Sequence, residues 1–179
     1  RMQQPEEFVP LVVPPSLERA EEYNVTNPEY SVEEALAADL SESLSDEINE
    51  GSLMLERVDG EVVIRFPGHV VYPSGSDTIL PSTLEILDRV AKALSETNGQ
   101  LVVSGHTDDV PISTGRYRSN WDLSSARAAS VVHFLLRNKL IDPGRISATG
   151  YADSRPLVPN DSAENRSKNR RVEISIRAR

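Results

Sequence analysis

The 179-residue sequence contains no cysteine. Because disulfide bridges and thiolate metal sites both need cysteine sulfur, neither kind of scaffold is available to this chain. Long apolar runs are also missing, since no stretch approaches the roughly 20 apolar residues of a membrane-spanning helix. The first residues, which read Arg-Met-Gln-Gln-Pro, do not resemble a signal peptide. The length fits one domain with its own hydrophobic core and some additional chain.

Positive charge is missing from one part of the chain. Between Arg19 and Arg57 there are eleven acidic residues and no Lys or Arg. The negative charge of this segment is larger than the net charge of the whole chain, which is −9. The remainder is therefore close to neutral, and the absence of a basic stripe interleaved with aromatic residues disfavours nucleic-acid binding. Residues 1–30 are rich in Pro and Glu and are predicted to form an extended linker. Within this linker, residues 11–13 (Leu-Val-Val) are a candidate edge strand or docking segment.

Residues 31–52 are predicted to form an acidic linker helix. Ser31 and Glu34 have the spacing of an N-terminal capping box, and Gly51 follows the expected end of the helix. Apolar residues recur at every fourth position, which gives a narrow apolar stripe. Two interpretations stay open. The helix is either a stable element lying on the domain, or a weakly held segment that detaches or rearranges.

Residues 53–179 alternate between strand and helix patterns. Asp59-Gly60 predicts a β-hairpin, whose second strand breaks at Pro67 and resumes briefly at 70–72. Pro81 begins an amphipathic helix that is expected to end near 98–99. The next elements are predicted to be a strand at 100–105, a helix at 120–136, a strand at 145–151, a polar loop to 166 and a strand at 170–176. This order predicts an α/β (α+β) two-layer sandwich, with a mixed sheet, helices on one face and the linker helix before it.

A candidate site lies where a strand pattern meets the start of a helix. Asp108 follows a short β-branched run, and Asn120, Ser124 and Arg127 have the i, i+4, i+7 spacing of a single helix face. One anion, one cation and two neutral polar groups would converge there, a combination that suits a ligand carrying both an ammonium and a carboxylate. A purely structural interpretation stays open. Asp108 would be satisfied by backbone amides or paired with Arg127, a contact that contributes about 0–1 kcal/mol when exposed.

The sequence offers no catalytic or metal-binding signature. His69, His106 and His133 match no zinc-ligand spacing, and no nucleophile elbow supports a Ser-His-Asp triad. Asp108 and Asp109 would point in opposite directions in an extended chain, which argues against a general acid–base pair. We therefore predict that the protein is not an enzyme, with no catalytic residues, no metal and no cofactor.

Three motifs resemble those of the OmpA-like peptidoglycan-binding domain. They are Gly-His-Thr-Asp at 105–108, a spaced Asn, Leu-Ser and Arg-Ala pattern at 120–128, and Asn-Arg-Arg-Val-Glu at 169–173. The resemblance covers roughly residues 55–179 and implies the fold of that family, an OmpA-C-like sandwich over 53–179. In the family an aspartate and an arginine grip the diaminopimelate of uncrosslinked stem peptides. The resemblance therefore implies that Asp108 binds the ammonium and Arg127 the carboxylate.

Further binding residues follow from the same motifs. We take Arg170, rather than Arg171, as the arginine of the last motif that lies near the pocket. The predicted peptidoglycan-binding residues are Thr107, Asp108, Asn120, Ser124, Arg127 and Arg170.

The segment between Asp108 and Asn120 resembles the MotB/PomB family of flagellar stator subunits, because typical outer-membrane relatives have a shorter, glycine-containing loop there. This resemblance implies a periplasmic domain of a bacterial inner-membrane protein, whose membrane helix lies outside the sequence. It also implies a homodimer and an ion-channel partner subunit of the MotA/PomA type. The acidic linker favours the sodium-driven PomB branch.

The implied function is a non-enzymatic anchor. The domain would hold an ion-driven stator to peptidoglycan against rotor torque, with the helix at 31–52 as a conformational switch. The alternative is a structural tether of the OmpA or lipoprotein type, which joins the outer membrane to the cell wall and has no role in a motor.

Overall fold

A computed structural model describes residues 31–178. The candidate docking segment at 11–13 and the rest of the predicted linker lie outside the described residues. The helices are α1 (Val32–Ser43), α2 (Ser45–Asn49), α3 (Gly68–Val71), α4 (Pro81–Ser95), α5 (Asn120–Leu136) and α6 (Ala163–Asn169). The strands are β1 (Met54–Val58), β2 (Glu61–Pro67), β3 (Gln100–His106), β4 (Ile146–Gly150) and β5 (Arg171–Arg177), and a 3₁₀ turn spans Pro143–Arg145.

The five strands form one mixed sheet in the order β1-β2-β5-β3-β4. Only β3 and β4 pair in parallel, and α5 connects them, while the other pairs are antiparallel. Asp59 and Gly60, at φ 50° and 78°, form the tight turn of the β1–β2 hairpin, since both central residues of such a turn need positive φ. The predicted mixed sheet and two-layer α/β architecture are confirmed.

One face of the sheet carries the hydrophobic core. Register pairs Ile64 with Ile174 and Ile174 with Val103, so the alternate residues of three neighbouring strands point to the same side. Helices α4 and α5 cover this side with buried aliphatic residues such as Leu87, Val90, Val131 and Leu135. The opposite face is polar where β2, β3 and β5 lie side by side, because Arg65 pairs with Glu173 and Ser104 with Glu173.

The N-terminal helix contributes to the same core. The Ser31–Glu34 capping box is present as predicted, with both reciprocal hydrogen bonds formed. Leu36, Leu40 and Leu44 of the predicted narrow stripe are fully buried within the main core cluster. The helix is interrupted at Leu44, so α1 and α2 replace the single helix that the sequence predicted.

The structure corrects two local predictions. Residues 70–72 do not resume β2, because the strand ends at Pro67 and the chain forms the short helix α3, after which Leu80 N donates to Val71 O at 2.8 Å. The predicted polar loop before 166 contains α6, which begins at the N-cap Ser162, whose hydroxyl accepts from Asn165 N. No helix in the range 31–178 is both long and apolar enough to cross a membrane.

Candidate functional site

One end of the sheet gathers the residues of the candidate site. Pro67, His106 and Arg171 lie side by side on β2, β3 and β5, because the registers pair Arg171 with each of the other two. The chain leaving β3 at His106 and the chain entering β5 at Arg171 therefore meet at the same edge. Residues 107–108 and Arg170, which are 62 positions apart, are brought together by this strand order.

Asp108 lies buried at this edge with both carboxylate oxygens engaged. Its Oδ1 accepts a hydrogen bond from Val110 N at 3.1 Å, and its Oδ2 accepts from Arg170 Nη1 at 2.6 Å. The first contact is a short local turn that fixes the direction of the carboxylate. The second is an ion pair with the arginine that the sequence motif selected.

Arg127 points into the same region from the second turn of α5. Its Nε donates to Ser76 O at 2.7 Å, its Nη2 donates to Pro73 O at 3.2 Å, and its guanidinium lies 4.9 Å from the ring centre of Tyr72. The residue is only 6% exposed. Burial is the main cause that lowers the pKa of Arg127, because desolvation disfavours the charged form.

Arg127 forms no ion pair with a carboxylate anywhere in residues 31–178. The nearby Asp77 carboxylate is engaged elsewhere, since it accepts from Tyr117 Oη at 2.6 Å and from Arg116 Nη2 at 3.1 Å. Of the two forms of the structural interpretation, the Asp108–Arg127 ion pair is not formed in residues 31–178, whereas Asp108 does accept from a backbone amide and pairs with Arg170. A buried guanidinium with donors to spare faces a cleft, and it would hydrogen-bond an incoming carboxylate strongly.

The cleft has a volume of about 540 Å³. Thr107, Asp108, Asn120, Arg127 and Arg170 line it together with several apolar side chains. Five of the six binding residues predicted from the sequence are thus brought to one space.

Thr107 and Asn120 shape the cleft by holding its loop. The Thr107 hydroxyl donates to Asp108 O at 2.9 Å, and the Asn120 side-chain amide donates to Val110 O at 2.9 Å. The Asn120 bond ties the residues after β3 to the first turn of α5, while Thr107 N donates to Ala152 O at 2.8 Å at the other end of the loop. Asp108 is consequently presented by a loop that is fixed at both ends.

Ser124 does not line the cleft, which corrects the expectation that it would converge there. Its side chain is fully buried, donating to Trp121 O and accepting from Ala152 N. The helix periodicity correctly placed Ser124 on the same face as Arg127, but it did not show that the Ser124 side chain is buried and does not line the cleft. Gly105 and Gly150, paired on β3 and β4, lie so close to α5 that a Cβ at either position would clash with the helix at Ser124 or Ser125.

Several residues around the site escaped the sequence analysis. The loop at 73–77, which supplies both backbone acceptors of Arg127 and the Asp77 contact to Tyr117, has no local pattern that links it to α5. The sequence pattern predicts Tyr72 as part of a strand and gives no sign of its contact with α5, in which its hydroxyl donates to Arg127 O at 2.7 Å. Only the tertiary fold places these groups beside Arg127.

His106 and Arg171 belong to a separate, buried polar cluster on the side of the sheet opposite α4 and α5. Arg171 Nε donates to Glu173 Oε1 at 2.7 Å, and Arg65 Nε donates to the same oxygen at 2.9 Å. The buried His106 ring stacks on Tyr151, and its Nε2 lies 3.6 Å from Glu173 Oε2. Among the residues that the structure describes, no three His, Asp or Glu side chains form a group that could hold a metal ion.

Comparison with known proteins supports the sequence motifs. Residues 71–170 match the model of the OmpA family. The chain belongs to the OmpA family. It is 31% identical over 144 residues to Motility protein B of Bacillus subtilis, covering 80% of this chain and 55% of that protein. The MotB resemblance inferred from the motifs is confirmed.

Two solved structures resemble this OmpA-family chain. The periplasmic domain of Helicobacter pylori MotB superposes with a TM-score of 0.62 at 32% identity, covering 68% of this chain and 86% of that chain. The cell wall anchor of the T6SS from Pseudomonas aeruginosa superposes with a TM-score of 0.72 at 38% identity, covering 78% and 97%. The chain spans about half the length of the curated relatives it matches.

Proposed function

We propose that this OmpA-family domain binds uncrosslinked peptidoglycan by gripping the zwitterionic end of diaminopimelate in the stem peptide. The ammonium binds the Asp108 carboxylate, and the carboxylate binds the Arg127 guanidinium. The observation that carries the proposal is the buried Arg127, which has no carboxylate partner in the described residues and faces the same cleft as Asp108. Such a cation lacks a counter-charge that a ligand carboxylate would supply.

The likeness to MotB supports a place for this binding in a motor. We propose that the chain is the periplasmic, non-enzymatic anchor of a flagellar stator subunit, joined to the inner membrane by a segment outside the sequence. It would act as a homodimer together with an ion-channel subunit of the MotA/PomA type. Its task would be to hold the stator against rotor torque.

The expected affinity of one domain is modest. Each charge-assisted hydrogen bond contributes about 1.5–3 kcal/mol, so two such contacts correspond to dissociation constants from roughly 40 μM to 6 mM. Two sites per dimer, on a polymer that repeats the stem peptide, raise the effective strength by avidity. Anchoring therefore does not need a tight single site.

The test is a titration of a diaminopimelate-containing stem peptide into the chain, followed by amide NMR. We expect shifts at residues 105–127 and near Arg170, and a loss of affinity of about 10-fold or more for Asp108→Asn and for Arg127→Ala. Asp109→Asn is the matched control, because its carboxylate pairs with Arg166 at 2.9 Å and does not line the cleft.

The same titration can refute the proposal. If Asp109→Asn weakens binding as much as Asp108→Asn, the cleft is not the site. If the folded wild type shows no response at millimolar peptide, the chain does not recognise this ligand.

A second candidate function is a tether of the OmpA or lipoprotein type without a motor role. The likeness to a T6SS cell wall anchor favours it, because a relative outside the flagellar motor has the same fold at 38% identity. Motility separates the two. Deleting the gene for the full-length protein abolishes swimming if the protein is a stator subunit, and leaves swimming intact if it is a tether.

We also propose that the N-terminal helix is a conformational switch that shifts when the stator docks. Glu34 and Arg57 form an ion pair of 2.9 Å between α1 and β1, both partly exposed. Cysteine pairs are therefore placed across this contact, at these two positions and at their neighbours, in a chain that has no native cysteine, and the pair that oxidises fully serves as the lock. In the full-length protein we expect swimming to stop under oxidising conditions and recover on reduction. Unchanged swimming with the disulfide formed would refute the switch.

A further inference from the structure

Arg170 occupies the Asp108 oxygen that the proposed function assigns to a ligand ammonium. Its Nη1 donates to Asp108 Oδ2 at 2.6 Å. The Arg170 side chain is 43% exposed, whereas the Asp108 side chain is only 10% exposed. The arginine is therefore the more accessible partner of the pair, and an ammonium that approaches Asp108 from the cleft must compete with it.

The backbone around Arg170 is fixed by hydrogen bonds and burial on both sides, whereas its side chain is 43% exposed. Gly68 N donates to Arg170 O at 2.8 Å, in a contact too close for any Cβ at position 68. On either side, Asn169 is fully buried in hydrogen bonds to the 157–160 loop, and Arg171 is buried against Glu173. Exchange of partners by Arg170 thus needs rotation of one side chain and no movement of the fold.

The cleft already carries an excess of positive charge. Asp108 contributes one negative charge, whereas Arg127 and Arg170 contribute two positive charges, and all three side chains line the same space. The Asp77 carboxylate nearby is taken by Arg116. A ligand that brings only an ammonium raises the excess from one to two, while a zwitterion leaves it at one. Like charges in a partly desolvated cleft repel strongly.

We propose that Arg170 is a specificity-determining residue that makes this cleft select a zwitterionic stem-peptide residue over one that carries an ammonium alone. The ligand ammonium takes Asp108 from Arg170, and Arg170 turns to share the ligand carboxylate with Arg127. A lysine side chain, which has no carboxylate, would displace Arg170 without giving it a new partner. This inference rests on the proposed function of the same cleft.

The test compares three stem peptides that differ at one residue: diaminopimelate, diaminopimelate with its side-chain carboxylate amidated, and lysine. Dissociation constants are measured by NMR titration with wild type and with Arg170→Gln. We expect wild type to prefer diaminopimelate to both others by roughly 30-fold or more, and Arg170→Gln to reduce that preference about 10-fold. The variant should bind lysine peptide more tightly than wild type does, because one repelling cation is gone.

Two further variants make the result specific. Arg166→Gln is the matched control, since Arg166 lies one helical turn earlier, pairs with Asp109 and does not line the cleft, and it should keep the wild-type preference. Arg170→Lys keeps the positive charge and should keep most of the preference. Should Arg170→Gln not fold, Arg170→Ala takes its place: a preference that is lower for Arg170→Ala than for Arg170→Lys and Arg166→Gln supports the proposal, and an equal preference in all three variants overturns it.

The outcomes separate the two proposals. If wild type binds diaminopimelate but Arg170→Gln weakens all three peptides by the same factor, Arg170 is a general contact and this inference is wrong, while the proposed function stands. If wild type binds none of the peptides at millimolar concentration, the proposed function fails and this inference fails with it.

Discussion

Two buried arginines, Arg127 and Arg171, show how this fold treats the same side chain in two ways. They are 6% and 4% exposed, and burial lowers the pKa of both. Arg171 lies 2.7 Å from the Glu173 carboxylate, whereas within residues 31–178 the Arg127 guanidinium donates to the backbone carbonyls of Ser76 and Pro73 and to no carboxylate. A buried cation with its own carboxylate stabilises the fold. One without it keeps its charge available to a ligand, which is the basis of the proposed site.

Glu173 is the centre of the polar cluster around Arg171, which we call the neutralised region because its buried positive charges have a counter-charge from the chain itself. Burial by itself would raise the pKa of Glu173, but the contacts with His106, Arg171 and Arg65 outweigh burial and hold that pKa well below its usual value. The carboxylate links β2, β3 and β5 at the edge where the cleft begins. The surroundings of Arg171 and of Arg127 are therefore adjacent. They differ because the counter-charge of Arg171 belongs to the chain, whereas that of Arg127 would come from a ligand.

The largest expected effect on the free energy of unfolding comes from removing the negative charge of Glu173. Glu173→Gln leaves the buried Arg171 without an anion and Arg65 with Glu56 as its remaining partner, and breaking a buried ion pair in this way costs about 3–5 kcal/mol. Chemical denaturation of the variant and wild type measures the loss. Glu61→Gln is the control, because its pair with Arg177 is more exposed and its loss should cost under about 1 kcal/mol. Equal effects of the two substitutions would contradict the assignment of Glu173 as a structural centre.

Much of this arrangement was accessible from the sequence. The predicted bounds of α5 agree with the structure, and the motif at 105–108 placed Asp108 at the end of a strand. Both follow from local patterns: an N-cap with helical periodicity in one case, and a β-branched run before a glycine in the other. Local pattern was also sufficient for the capping box at Ser31 and the hairpin turn at Gly60.

What the sequence did not reveal depends on contacts between distant segments. The acceptors of Arg127 lie 51 and 54 positions away in a loop without periodicity, so the sequence did not show that this arginine lacks a carboxylate. Helical spacing placed Ser124 and Arg127 on one face but did not distinguish the buried structural hydroxyl from the group lining the cleft. Helix α6, at seven residues, is too short to show an apolar repeat.

The next effect concerns pH and tests the neutralised region again. Burial, followed by the nearby Arg171 and Arg155, lowers the pKa of His106 below its ordinary value of 6.5, while Glu173 opposes the shift. The unfolded chain then binds a proton that the native protein does not, so stability falls as pH drops below 6.5. We expect a loss of about 1 kcal/mol between pH 7.5 and 5.5 in denaturation experiments. His106→Gln should flatten this dependence, and His133→Gln should keep it. A wild-type stability that is constant across this range would contradict the prediction.

The smallest expected effect on stability distinguishes the two arginines most directly. Arg127→Met removes a buried cation that forms no ion pair with a carboxylate in residues 31–178, and it also removes two hydrogen bonds to backbone carbonyls. Because these contributions oppose each other, we expect the free energy of unfolding to stay within about 1 kcal/mol of wild type, while affinity for the diaminopimelate peptide is lost. Arg171→Met is the paired variant and should be destabilised by several times more, because it leaves part of the Glu173 charge uncompensated. If Arg127→Met unfolds as readily as Arg171→Met, both arginines serve the fold. A small loss of stability with a large loss of binding would show that the fold tolerates an unpaired charge at Arg127 because the ligand completes the pair.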